Sequence, residues 1–372
     1  MNNVKKVHIT LVGGQIIPLY QGIIKYGGDE VVLLHSKDTI HQAGILQSHI
    51  KVPARLILIK DAFDFESIYN TVGGLVERDC DYFVNITGGT KIMSIALLEA
   101  FIKYPNATIF YIDQNQNILD IRSRKSQFAP IHIDIGTIFS LSGNKLVDYK
   151  DFKSLDIQIL KDAGMVRQMM QYAKGEWYKL MAGLRVDNKM SGLTTPAGSY
   201  YTIDKSDQSL TIQLFKAGKS MKYTWKGKDG LKLVKDTQWF EIEVAEILSR
   251  WRYCRELYMH SKVAYQAGTE KNEIDIIVNT EGKLIFVECK TQVFDIKDID
   301  KFRNVVKNYG GLAAKAVLIT DQPVNQLVAE KCRDNSISYF SLKGSPDDPP
   351  FLSTSDMLYN FLESILKSNN PV

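Results

Sequence analysis

Three side chains in one short stretch have the types and spacing of a reactive centre. In "NEIDIIVNTEGKLIFVECKTQ", residues 272–292, Asp275, Glu288 and Lys290 interrupt two otherwise apolar, β-branched runs. Such runs on either side of Glu281-Gly282 predict two strands joined by a tight turn. With Thr280 facing Lys283, counting outward sets Asp275 directly opposite Glu288. Like charges paired across strands repel, so the arrangement costs stability unless a cation lies between them. The two-residue period of a strand brings Lys290 to the same face as Glu288. Two carboxylates and an ammonium group thus converge, which suits a divalent metal. Carboxylate oxygens are hard ligands for Mg2+ or Mn2+. Such an ion acidifies a bound water and neutralises charge on a phosphoryl oxygen. Lys290 would orient that water or stabilise developing negative charge. The alternative is a structural ion pair between Lys290 and one acid, because ion-pair networks also gather charged groups.

The segment resembles the PD-(D/E)XK, or restriction-endonuclease-like, nucleases, whose signature is an acid, a spacer, then acid-any-Lys. The matching residues are Asp275 and Glu288-Cys289-Lys290, with Ile274 where the strict family wording has proline. The resemblance implies phosphodiester hydrolysis, with Asp275, Glu288 and Lys290 catalytic and the two acids holding the metal. It also implies a further acid from a preceding helix. "DTQWFEIEVAEILSRW", residues 236–251, is a helical pattern that offers Glu241, Glu243 and Glu246. The resemblance favours Glu241 as the third metal ligand and catalytic acid, while a solvated helix face accounts for any of the three equally well. Downstream, "KAVLIT", "PVNQLVAEKCRDN" and "ISYFSL" read strand, helix, strand, an order that suits the family's α/β core.

A second constellation lies near the N-terminus. "KVHITLV", "EVVLLHS", "ARLILI", "DYFVNIT" and "ATIFYID" alternate with helical patterns, which predicts a parallel, doubly wound sheet. Ligands of such sheets sit beyond the carboxyl ends of the strands. Two of those ends carry small and polar residues: Gly13-Gly14-Gln15, and Thr87-Gly88-Gly89-Thr90-Lys91. The second group opens a helix, so backbone N–H groups, the helix dipole, two threonine hydroxyls and an ammonium group are available to an anion, most naturally a phosphate. The spacing fits neither GxxxxGK[ST] nor GxGxxG, which disfavours a nucleotide triphosphatase or a dehydrogenase. A tight turn that merely needs glycines is the plain alternative. "NITGGTKIMSIA" closely resembles the signature of CARF domains, sensors of cyclic oligoadenylates in type III CRISPR defence. That resemblance covers about the first 140 residues and includes the "GGQ" loop. It implies a ring-shaped ligand shared across a two-fold dimer, contacted by Gly13, Gly14, Gln15 and residues 87–91.

Composition permits both assignments. At 372 residues, with 45% hydrophobic residues and a net charge of +4, the chain has the length for two or three globular domains. The expected division is a sensor over 1–145, a helical and basic β connector over 146–235, and a nuclease domain over 236–372. The four cysteines (80, 254, 289 and 332) show no paired spacing, and the six histidines form no metal motif. Reduced thiols, no signal peptide and no membrane-spanning stretch point to a cytoplasmic protein. Residues 146–235 carry 16 Lys and Arg against 9 Asp and Glu, a net of +7, which leaves −3 for the rest. Seven lysines between Lys216 and Lys235, interleaved with Tyr223 and Trp225, predict either a face that follows a phosphate backbone and stacks bases or one polar face of a solvated antiparallel sheet.

Taken together, the chain resembles the Can and Card effectors of type III CRISPR systems, a CARF sensor fused to a PD-(D/E)XK nuclease. The resemblance implies a homodimer, cyclic tetra-adenylate as activator, Mn2+ or Mg2+ as cofactor, and RNA or DNA as substrate. Two other readings remain: a nucleotide-sensing regulator that binds nucleic acid without cutting it, and a constitutive restriction or repair nuclease whose N-terminal domain is only a scaffold.

Overall fold

Why the N-terminal strands lie inside is visible in the alternation of their side chains. The structure, a computed structural model, describes residues 4–77, 79–113, 115–186, 192–264, 270–280, 283–293, 296–310, 314–344 and 352–367. The first domain runs β1 (Lys5–Leu11), α1 (Ile17–Tyr26), β2 (Glu30–His35), α2 (Ile40–Ser48), β3 (Ala54–Leu58), α3 (Phe65–Gly73), β4 (Cys80–Asn85), α4 (Lys91–Ile102), β5 (Ala107–Ile112), then a hairpin of β6 (Asn117–Asp120) and β7 (Lys125–Phe128). The strand order is β3-β2-β1-β4-β5-β6-β7, with β1 to β5 parallel and the hairpin antiparallel. Val32 and Leu34 face a core with Met93, Leu97 and Phe101 of α4, whereas Val31 and Leu33 face Leu19, Ile23 and Leu46 on the opposite side. Burial on both faces explains the near-continuous apolar runs of these strands. The order reverses between β1 and β4, which makes their carboxyl ends the switch point of the sheet.

The remaining chain forms α5 (Ile135–Leu141), β8 (Lys145–Asp151), α6 (Ile157–Tyr172), α7 (Lys174–Val186), β9 (Gly192–Thr194), β10 (Tyr200–Asp204), β11 (Ser209–Lys216), β12 (Lys219–Trp225), α8 (Gly227–Lys235) and α9 (Gln238–Ser249). It continues with β13 (Glu256–Ala264), β14 (Glu270–Thr280), β15 (Lys283–Lys290), α10 (Lys297–Tyr309), β16 (Lys315–Thr320), α11 (Gln326–Asp334), β17 (Ile337–Ser341) and α12 (Thr354–Lys367). A mixed sheet has the order β17-β16-β15-β14-β13-β8, and β9 to β12 form a small antiparallel sheet. Residues 146–235 do not stand apart. β8 pairs with β13 as the edge of the mixed sheet, and α6, α7, β11 and α8 share one hydrophobic core with α9, β15, β16 and α12.

The middle segment differs from the expectation in two respects. Residues 227–235 are helical, not strand-like, because the apolar Leu231, Leu233 and Val234 recur along one helix face that packs inward. Trp225 is fully buried, and its Nε1 donates to the Asp162 carbonyl, while the Tyr223 hydroxyl donates to Asp162 Oδ1 at 2.6 Å. These rings anchor β12 on α6, so Trp225 is unable to stack a base. The exposed lysines 216, 219, 222, 226, 228 and 232 are the part of the basic segment that solvent reaches.

Candidate active site and glycine loops

The β14–β15 hairpin has the register that counting predicts. Thr280 pairs with Lys283 and Ile276 with Val287, so Asp275 and Glu288 are the next positions of the ladder. Glu281 and Gly282, expected to form the turn, lie outside the described residues. The Asp275 carboxylate accepts from the Cys289 backbone N–H at 2.8 Å, which ties it to β15. Lys290 Nζ donates to Glu288 Oε1 at 2.5 Å and lies 4.0 Å from Asp275 Oδ2. The ammonium group is therefore the cation between these two acids. Burial works against its charge, but Glu288 and Asp275 outweigh that and raise its pKa.

The helix acids part company. Glu243 is held by Arg167, whose Nε and Nη2 reach it at 2.6–3.2 Å while Nη1 reaches Asp321 at 2.5 Å. The Arg167 guanidinium also lies over the Trp239 ring, 4.8 Å from its centroid. Glu246 pairs with Arg250 one turn on at 2.5 Å. Glu241 turns to the hairpin, where burial, and then the charge of Asp275, push its pKa upward. Asp275 is raised as well, by burial first and Glu288 second, with Lys290 opposing. Glu241, Asp275, Glu288 and Lys290 are thus brought together from α9, β14 and β15.

Sequence reasoning missed His260. It sits in β13 at φ +49°, a strained conformation for a histidine, at the position facing Asp275 where the ladder skips a pair between Met259–Ile276 and Ser261–Ile274. Its Nδ1 is 3.1 Å from Glu241 Oε2 and 3.7 Å from Glu273 Oε1. Burial, helped by Lys150, lowers its pKa to about 4, so the ring is neutral near pH 7. A neutral imidazole beside a carboxyl group of raised pKa shares one proton with it, which orients Glu241 without adding charge. No local motif marks His260, since its facing residue is set by a pairing across residues 265–269.

Three carboxylates with one lysine among them, two of which (Glu241 and Asp275) are raised by burial and then by a neighbouring acid, form a donor set short of positive charge, and its hard oxygens fit Mg2+ or Mn2+. Among the described residues, no group of three or more His, Cys, Asp or Glu is closed up in a coordinating arrangement. Lys290 holds Glu288 instead.

In the first domain, the two glycine loops meet at the β1/β4 switch point. A Cβ on Gly88 would stand 2.0 Å from the Leu11 carbonyl oxygen, and one on Gly13 would stand 2.9 Å from the Gly89 nitrogen, so backbone packs on backbone there. Gly89 has φ +72°, which favours glycine. Thr90 caps α4, accepting from Met93 N–H and donating to the Ala62 carbonyl. Thr87 donates to Asn85 and accepts from Ile112 N–H. Both hydroxyl protons are therefore taken, by Asn85 and by the Ala62 carbonyl, where the sequence reading offers them to an anion. Gly14, Gln15, Gly89 and Lys91 are the exposed members of the group, gathered at the loop ends and the start of α4.

Residues 7–136 match the family described as the Card1 CARF domain. Along nearly the whole chain the fold is similar to Can2 from Sulfobacillus thermosulfidooxidans in complex with cyclic tetra-adenylate, with TM-score 0.72 and 16% identity over 98% of this chain and 100% of that one. It is also similar to protein VC1899 from Vibrio cholerae, with TM-score 0.74 and 13% identity over 97% and 99% of the two chains. At such identities the likeness is one of fold. A search of curated proteins gave no match.

Proposed function

We infer that this chain, whose N-terminal part is a Rossmann-like CARF domain, is a metal-dependent nuclease switched on by a cyclic oligoadenylate in type III CRISPR defence. The observation that carries the nuclease half is the convergence of Glu241, Asp275, Glu288 and Lys290 from three elements. The Can2 structure with bound cyclic tetra-adenylate supports that ring as the activator. In this reading Asp275, Glu288 and Glu241 hold Mn2+ or Mg2+, which when bound supplies an acidified water and polarises the phosphoryl group. Lys290 releases Glu288 to the cation and stabilises charge on the reacting phosphate. His260 keeps Glu241 turned inward. In the sensor, Gly13, Gly14, Gln15, Gly88, Gly89 and Lys91 form the messenger's phosphate contacts, with close backbone approach and one positive charge, and Thr87 and Thr90 shape that loop. Two copies of the chain share one ring, and the exposed lysines 216–228 follow the nucleic-acid backbone.

The test is cleavage of RNA, single-stranded DNA and plasmid with Mn2+, with and without cyclic tetra-adenylate, for the native chain and for Glu288→Gln. Cleavage that needs both ring and metal and vanishes in the variant is expected. Full activity of Glu288→Gln would overturn the site. A regulator that binds without cutting is the second reading, favoured by the Lys290–Glu288 ion pair. Ring binding with no cleavage of any substrate would select it.

A further inference from the structure

A cavity of about 380 Å³ lies where the sensor meets the effector domain. Its walls come from both: Gln15, Gln42 and Gln116 from the first domain, and Leu284, Lys307 and Ala314 from the second. The volume is that of a small-molecule pocket and far too small for a whole tetranucleotide ring. One wall residue has no structural account. Gln116 is 5% exposed, stands at φ +63°, and has no hydrogen-bond partner for either its Oε1 or its Nε2. Across the same cavity the Gln42 Oε1 is also buried without a partner. A buried carboxamide is costly to leave unpaired, so its retention calls for something that pairs with it.

The two orphaned ends of Gln116 define what would satisfy them: a planar group that presents a donor and an acceptor side by side. A glutamine amide reads the N6/N7 edge of adenine in this bidentate manner. Apolar wall residues such as Leu284 and Ala314 suit a flat heterocycle, and Lys307 at the rim suits the attached phosphate. The rim also includes Gly14 and Gln15, the exposed end of the first glycine loop.

We propose that this junction cavity takes one adenine base of the messenger, read by Gln116, so that the ligand touches the effector domain directly. The proposal rests on the sensor reading above and adds a contact with β15 and α10. Leu284 lies six residues from Lys290 on the same strand, which gives base insertion a short mechanical path to the hairpin.

The experiment is a calorimetric cycle on the full chain. Cyclic tetra-adenylate and an analogue with one adenine replaced by purine, which lacks the 6-amino group, are each titrated into native protein, Gln116→Leu and Lys91→Ala. For native protein the analogue should bind about ten-fold or more weakly. Gln116→Leu should bind cyclic tetra-adenylate about ten-fold more weakly and no longer discriminate against the analogue, while its thermal melt stays level or rises. Lys91→Ala should weaken both rings and keep the discrimination. Should Gln116→Leu misfold, Ser142→Trp, which fills the rim from the end of α5, should weaken ring binding instead. Loss of affinity in Lys91→Ala, with Gln116→Leu binding and discriminating like native, would overturn this proposal and leave the sensor reading intact. No ring binding by any form would overturn the sensor reading itself.

Discussion

Replacing Lys290 by alanine separates the charge balance of the hairpin from its chemistry. Asp275 and Glu288 have 17% and 19% of their side chains exposed, and the ammonium group between them is one-third exposed. Removing one partner of a fully buried pair costs about 3–5 kcal/mol. The residual exposure here screens part of that, so a loss of about 1–3 kcal/mol is expected for Lys290→Ala. Asp275→Asn acts in the opposite direction: the amide oxygen still accepts from Cys289 N–H, and one repelling charge disappears. Its melt should stay level or rise. In a domain of 150–250 residues each kcal/mol moves Tm by about 2–4 °C, so the two variants separate clearly. The assay is a pair of melts, one in chelator and one in Mn2+. The cation should restore Lys290→Ala more than it raises the native protein, since it replaces the lost charge. A Lys290→Ala melt at or above native in chelator would refute the claim that this lysine compensates the acids.

Two further outcomes follow from buried contacts away from the hairpin. Gly88→Ala drives a Cβ into the Leu11 carbonyl, so it should lower Tm by at least the equivalent of about 1–3 kcal/mol, whereas Gly14→Ala, with nothing within 4 Å, should melt like native. Burial holds the His8 pKa at about 4, partly opposed by the backbone of Gly27. Its unfolded value is near 6.5, so the unfolded chain binds the extra proton in between, and about 3 kcal/mol of stability should be lost as pH falls through that window. Urea denaturation at pH 7 and pH 4.5 measures the loss, which should shrink by about that amount in His8→Leu and leave the part due to the likewise depressed His260.

Which features were legible follows from how local their causes are. The parallel strands announce themselves because both faces are buried, and the hairpin register follows from counting out of a turn. The choice among Glu241, Glu243 and Glu246 is not local: Arg167, 76 residues before Glu243, removes that acid from contention. His260 faces Asp275 only because β13 pairs with β14 across an intervening loop. The burial of Trp225 depends on α6, and a lysine-rich strand looks the same whether its aromatic face meets a helix or a base. Gln116 carries no sequence signal at all, since an unpaired amide is visible only once its surroundings are built.

The place where α5 and β8 dock bears on how the molecule comes apart. Ile135 N–H donates to the Glu256 carboxylate, Asn279 Nδ2 donates to the Ile133 carbonyl, and Ile135, Ile138 and Phe139 sit in the core with Phe286 and Tyr309. A protease cut or gene fusion near residue 145 would therefore leave an N-terminal fragment with α5 as a greasy tail and a C-terminal fragment that keeps β8 on β13 but has lost α5 from its core. The separated apolar face of α5 and the core surface it leaves behind are both exposed patches, so both halves should aggregate. Severing the chain between Phe128 and Ile133 instead would hand α5 and β8 to the domain that holds them, and give two pieces each able to keep its own core.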